Sequence, residues 1–437
     1  MSLHLKLFNT TAEYNAYTAD TSNFILPNVS CAMDDLGTVH YNPIPPETRV
    51  VAKFNVADTT NPTPISFKFM TQYTQIDGTS GFSSIEIDGV AQPTVESAYT
   101  FSSIGEHTVK YTLTDPATIC EFAFNSCSAL TSIDIPNTVT SIGSRSFGNS
   151  SGLTSIDIPD SVTSIGESAF KGCSGLLSCT IGNGVTNIGQ YAFQNCSGLT
   201  SCTIGSGVTN IGEHAFDCCY GLTSIDIPDS VTSISNSAFT KCSGLTSVTI
   251  GSSVTSIGVR AFWYCSSLTS IVIPDSITSI GNQAFYSCSG LTSCTIGSGV
   301  TSIGYSAFEG CSNLTSISIP DSVTDIGYEA FENCAAVTSV TIGSGTTNIG
   351  HGAFYNCSGV TNVIIPSSVT SIGYEAFYNC SGLTSITVQA TTPPSLMNVS
   401  ALSNTNDCPI YVPSESVNAY KEANNWSTYA SRIQAIP

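Results

Sequence analysis

Side chains able to do chemistry are plentiful in this 437-residue chain, but their spacing keeps them apart. A catalytic centre needs a nucleophile, a base and an orienting group within mutual reach, or a cluster of metal ligands. The five histidines, His4, His40, His107, His214 and His351, fall in different segments. Serines and threonines return at the same places again and again, which marks them as surface filler rather than nucleophiles. No phosphate-binding glycine loop, dinucleotide fingerprint or HExxH motif occurs. The residue types therefore predict no catalytic residue, no metal site, no cofactor and no enzyme.

Two groups of side chains offer more. Asp157 with Asp160, and Asp226 with Asp229, sit close in sequence, and Asp134 is expected beside Asp157. A calcium ion takes roughly six to eight oxygens, and the adjoining Ser and Thr supply few, so these acids are expected to be solvated surface. The aromatics are sharper. Trp263, Tyr286, Tyr305, Tyr328, His351, Tyr355, Tyr374 and Tyr378 occupy two recurring positions along one stretch of chain. Contiguous exposed rings mark binding surfaces, and Tyr and Trp stack on sugar faces or partner side chains. These eight are the candidate ligand-binding residues. The bland alternative is tolerated surface tyrosine accumulated by repeat drift.

What must position them is a repeat. An aliphatic residue returns every 23 residues at Leu130, Leu153, Leu176, Leu199, Leu222, Leu245, Leu268, Leu291, Leu314, Val337, Val360 and Leu383, without insertion or deletion. Phenylalanine keeps the same period from Phe124 to Phe377. The unit Leu222 to Gly244 reads LTSIDIPDSVTSISNSAFTKCSG. Leu222, Ile225 and Ile227 form the inward set of a short strand, which Pro228 ends because it cannot donate to a ladder. Val231 and Ile234 add a second apolar pair. Ala238, Phe239 and Cys242 fit one inward-facing helical or 3₁₀ turn. Each large apolar side chain gains roughly 1.5–3 kcal/mol when fully buried. A lone coil cannot bury them, so the units must stack. At ~4.8 Å per parallel strand, the coils predict a rod or arc roughly 55–60 Å long. Positions 15 and 19 of the unit hold the eight candidate residues and flank the inward Ala-Phe pair, so both are expected to point outward.

The pattern LTSIDIP…VTSIG…AF..C over about residues 117–388 resembles the BspA-like (Treponema-type) leucine-rich repeat of bacterial surface proteins. The resemblance implies a right-handed leucine-rich repeat solenoid and a role in binding or adhesion at the cell surface. Periodicity by itself implies only the solenoid.

Eleven of the 18 cysteines share one repeat position, from Cys127 and Cys173 to Cys380, with Ser150 in the remaining slot. Cys179, Cys202 and Cys294 replace an inward strand residue. Stacked neighbours would run their Cβ vectors parallel, which disfavours the ~90° S–S dihedral. Buried small hydrophobes are expected rather than a disulfide framework or a metal or redox array. Cys218, next to Cys219, is expected to be exposed and incidental.

An open stack needs a cap at each end. Pro393-Pro394 breaks the repeat after Val388. Cys408-Pro-Ile-Tyr-Val-Pro413 reads as a closing strand, and Ser414 is placed to N-cap a helix over 415–423. Val417, Tyr420, Trp426, Tyr429 and Ile433 would seal the last coil, and this tail too resembles the C-terminal cap of that family. Residues 48–115 alternate apolar and polar over several strands and predict a small all-β, immunoglobulin-like sandwich. Its last strand runs into Ile119 and is expected to cover the first coil. Residues 1–47 read as a strand, a short helix and a hairpin near Asp35-Leu-Gly37, and resemble attachment segments of phage-associated proteins of gut bacteria. The predicted divisions are thus 1–47, 48–115, 116–388 and 389–437.

Composition sets the outer limits. Only 10% of residues are charged, against an average of about 25%, and the formal net charge is -20 with 11 Lys+Arg. Nucleic acid and anionic lipid need basic patches and are excluded as partners. The start of the chain shows no export signal, and no stretch approaches the ~20 apolar residues of a membrane span. The reading is a non-enzymatic recognition or adhesion protein that binds an extracellular protein or glycan. The alternative is a phage virion component, a fibre or decoration protein.

Overall fold

The computed structural model describes residues 117–437 without interruption, and before them residues 49–57, 82–93, 101 and 103–113 together with short paired strands. Two of those strands, Val29–Met33 and Val39–Pro43, pair antiparallel on either side of the expected hairpin turn. The rest of the attachment-like segment 1–47 lies outside the described residues.

From Leu130 onward the chain is a three-sided β-solenoid. The first side is a parallel sheet built on the LTSI segments, as in Ser155–Ile158 and Ser178–Ile181, whose residues pair at an offset of 23. Along each rung exposure alternates, so Ser155 and Asp157 face solvent while Ile156 and Ile158 face the core. The second side is a column of two-residue strands such as Ser164–Ile165 and Asn187–Ile188, a strand the sequence reading did not include. Threonines at the corners tie coil to coil: Thr154 Oγ1 donates to the Thr131 carbonyl at 3.1 Å and Thr163 Oγ1 to the Thr140 carbonyl at 3.1 Å.

The third side corrects the expectation of a helical turn. Among the described residues no helix occurs between 117 and 388. The segment around Ala238-Phe239 is instead a run of tight turns in which Ser237 (φ 56°) and Lys241 (φ 57°) are left-handed. That backbone cannot continue a right-handed helix. Its amides alternate in use. Ala238 N–H bonds Ser235 within the coil, while Phe239 N–H donates to Ala261 O at 2.8 Å in the next. Parallel-sheet-like coupling therefore continues round the third side.

The core is a set of columns. Phe147 and Phe170 stack with centroids 4.9 Å apart and planes 1° off parallel, and Phe331 and Phe354 at 5.5 Å and 7°. Each cysteine of the column does more than fill space. Cys173 Sγ donates to Phe147 O at 3.0 Å, and Ser150, alone in that slot without sulfur, donates from Oγ to Phe124 O at 2.6 Å. Burial pushes the Cys173 thiol up to about 12.

One substitution interrupts this order. Position 14 is glycine in neighbouring coils, where a Cβ on Gly258 would meet Asn236 N at 2.7 Å. In the coil Leu222–Gly244 the slot holds Ser235, whose hydroxyl bonds Ile211 O. There the second sheet thins to single bridges, Ile211 to Ile234 to Ile257.

At the N-terminal end the described residues form one antiparallel sheet in the order Leu130–Asp134, Arg49–Val56, Gly105–Leu113, Phe82–Ile87 and Val90–Ala91. The first solenoid strand is thus covered by Arg49–Val56, with Leu130 opposite Phe54. The last strand of the module, expected in that place, covers the first coil through a side chain instead of through edge pairing. Gly105–Leu113 contributes Tyr111, whose ring meets Phe124 edge-on at 5.4 Å. At the other end Ile410–Val412 and Ile433–Ala435 extend the first sheet. The helix spans Val417–Glu422, after a 3₁₀ turn at Ser414–Ser416. Ser414 therefore does not N-cap it. Tyr420 OH bonds Ala390 O at 2.8 Å and Trp426 Nε1 bonds Pro394 O at 2.8 Å, so the aromatic lid also satisfies the last coil's carbonyls.

Candidate functional site

All eight predicted residues emerge on the turn side, because positions 15 and 19 are rungs of its inter-coil ladder. Gln283 N–H donates to Tyr305 O at 2.8 Å and Ser306 N–H to Tyr328 O at 2.8 Å. The backbone thereby holds the rings one coil apart. The two positions differ in depth. Tyr305, Tyr328 and Tyr374 are exposed, at 44%, 54% and 48%. His351, Trp263, Tyr286, Tyr355 and Tyr378 are half-buried.

The rings fall into three groups. Tyr328 meets His351 edge-on at 4.6 Å, and His351 stacks on Tyr374 at 4.6 Å with planes 14° apart. His351 Nδ1 accepts the Tyr374 backbone N–H at 2.9 Å, so the neutral ring carries its proton on Nε2. Tyr355 stacks on Tyr378 at 5.1 Å. Trp263 lies 6.1 Å from Tyr286, and Tyr264 lies 4.1 Å from Trp263. Tyr305 meets no ring among the described residues. Tyr264, at position 20, was missed by the sequence reading; its neighbour Trp263 was the available signal.

Between these groups sits a feature the sequence reading did not assemble. Carboxylate oxygens of Glu309, Glu329 and Glu332 lie within 4.8 Å of one another and are half-buried. Burial, then the charges of Glu309 and Glu329, raise the Glu332 carboxyl to about 7. Burial also raises Glu309. Ser306 Oγ donates to Glu329 Oε2 at 3.2 Å. Three such oxygens fall well short of the roughly six to eight that calcium takes.

The aspartates do something else. Asp229 Oδ1 accepts both the backbone N–H and the hydroxyl of Ser252, and Asp160 Oδ1 accepts the backbone N–H of Asn183. These bonds to its charged form hold Asp229 below the usual carboxylate range. Position 8 thus fastens one coil to the next. On one edge Asp134 pairs with Val51 of the N-terminal sheet; on the other its strand adjoins the coil of Asp157, where Thr154 N–H donates to Thr131 O at 3.1 Å.

A 23-residue coil with a parallel strand, an inward Leu/Phe/Cys set and an open turn face is a family signature. Four overlapping stretches, 95–220, 174–292, 209–337 and 278–406, match the model of the BspA type leucine rich repeat region. The chain belongs to the BspA-type leucine-rich repeat family. Within that family it is similar to a leucine rich cell surface protein of Faecalibacterium prausnitzii, at 32% identity over 70% of this chain and 88% of that one, with a TM-score of 0.41. A leucine-rich repeat protein of Bacteroides ovatus shares the fold along 95% of this chain and 100% of its own, at 22% identity and a TM-score of 0.59. The pneumococcal vaccine antigen PcpA is similar at 18% identity over 73% of this chain and 83% of its own, with a TM-score of 0.45. No curated protein matches. Among the described residues no helix is long and apolar enough to cross a membrane.

Proposed function

We propose that this BspA-type chain is a non-enzymatic recognition protein of the bacterial cell surface that holds an extracellular protein or glycan on its turn face. The observation that carries the reading is the gathering of Trp263, Tyr286, Tyr305, Tyr328, His351, Tyr355, Tyr374 and Tyr378 on one side of a rigid ladder. Exposed aromatic rings are costly on a surface unless a partner covers them. Rings already stacked on a neighbour, as His351 on Tyr374 and Tyr355 on Tyr378, lose little freedom on binding, which favours affinity. The surface location is carried over from the Faecalibacterium relative, a leucine rich cell surface protein. The N-terminal sheet would then be one face of an immunoglobulin-like sandwich that stiffens the first coil. The virion alternative rests on residues 1–47, most of which lie outside the described residues.

The test is an array of glycans and extracellular-matrix proteins probed with the intact chain. Selective, saturable binding to some members is expected. An array without one saturable ligand would contradict the reading.

A further inference from the structure

We infer that the turn face between Leu268 and Gly382 docks a lysine- or arginine-bearing stretch of a partner polypeptide. The inference rests on the preceding reading that this face is the binding surface, and narrows it to one chemistry.

The solenoid shows what its turn-face rings receive. Between residues 117 and 388 there are four basic residues, Arg145, Lys171, Lys241 and Arg260, and every one sits on the turn side. Each lies over a ring of that same side. Arg145 is 5.7 Å from the Phe122 centroid and Lys171 is 5.3 Å from Tyr191. Lys241 and Arg260 lie 5.4 Å and 5.9 Å from Trp263. A cation over an aromatic face is attracted by the ring quadrupole, and Trp and Tyr serve best.

After Arg260 the pattern loses one component. No Lys or Arg occurs until Lys421. The rings continue through Tyr305, Tyr328, Tyr355, Tyr374 and Tyr378, and none of them has a cation over it among the described residues. Carboxylates stand beside them on the same face: Glu309 and Glu332 at position 19, Glu329 and Glu375 at position 16. The mutual approach of Glu309, Glu329 and Glu332 creates repulsion that an ammonium or guanidinium would remove. This half of the face therefore carries the rings and counter-charges of a cation site and lacks its cation.

Length selects the occupant. Tyr286 and Tyr378 are four coils apart, which at ~4.8 Å per coil is roughly 20 Å, the span of about six extended residues. A single small ammonium would engage one rung. A neutral sugar would use the rings and leave the carboxylate repulsion in place, and an acidic glycan would be repelled. A basic polypeptide segment satisfies rings, charge and length together.

The experiment uses the full chain and a fluorescent octalysine peptide, with octaglutamate as control, read by fluorescence anisotropy at low and high salt. Octalysine should bind and octaglutamate should not. The Glu309→Gln/Glu329→Gln/Glu332→Gln variant, checked to melt cooperatively and no lower than the original, should weaken octalysine by about tenfold. The control Glu167→Gln/Glu213→Gln, on the same face in earlier coils, should leave it unchanged. Equal losses in both variants would assign the binding to net charge alone and overturn the inference, as would no loss in the triple variant. If octalysine fails to bind while array ligands still depend on the tyrosines, the cationic partner is wrong and the binding face stands. If array ligands are also indifferent to the tyrosines, both fall.

Discussion

The thiol of Cys242 donates to the carbonyl oxygen of Phe216 in the preceding coil, 3.2 Å away. The same bond recurs along the column, from Cys173 to Phe147 and on to Cys380 with Phe354 at 3.1 Å. Ser150 reproduces it with oxygen, which shows that the slot selects a small donor rather than sulfur.

Cys242→Ser should consequently be tolerated, while Cys242→Ala should cost about 1–2 kcal/mol, from a small void and a lost donor. Denaturant midpoints of the three proteins decide the point. Equal destabilisation by both substitutions would make the contact packing alone.

His107 makes the N-terminal cap sensitive to pH. Its Nδ1 lies 2.7 Å from Asp88 Oδ2 and its Nε2 3.0 Å from Ser103 O. Both partners are acceptors, so only the protonated ring makes both bonds at once. Burial opposes that charge, but the two hydrogen bonds and the Asp88 carboxylate outweigh it and raise the pKa above 6.5. The folded state then binds the proton more tightly than the unfolded state. The stabilisation is complete below the ordinary value of 6.5 and disappears as pH rises through the raised value. Melting temperature should fall across that window, and His107→Phe should flatten the fall. An identical pH profile in wild type and variant would show that His107 does not set it.

Glu332 acts in the same direction for a different reason. Its ordinary value is 4.5, and burial with two acidic neighbours raises it to about 7. Between those values the folded state again holds more protons than the unfolded state, so stability falls as pH rises. Glu332→Gln should remove this part of the slope, and a carboxyl NMR titration should place its midpoint near 7. A midpoint near 4.5 would show that the three carboxylates do not meet as described.

The columns of Leu, Phe and Cys were legible because each returns every 23 residues and the inward set repeats with it. The turn side was not, since non-glycine residues such as Ser237 and Lys241 give no local sign of a left-handed backbone. The pairing of Leu130–Asp134 with Arg49–Val56 was hidden for another reason: it joins segments far apart in the chain. At the candidate site, the outward direction of positions 15 and 19 could be read from their flanking of Ala-Phe. The meeting of Glu309 with Glu329 and Glu332 could not. It requires position 16 of one coil to approach position 19, which only the turn geometry brings about.

The turn-face rings, on this reading, hold the partner without supporting the fold. That is tested most directly by replacing Tyr328, Tyr355 and Tyr374 together with alanine and measuring affinity for the ligands found with the intact chain. The expected result is an unchanged melting curve and binding weakened by about tenfold or more. A well-folded triple variant that binds those ligands as tightly as the original would contradict it.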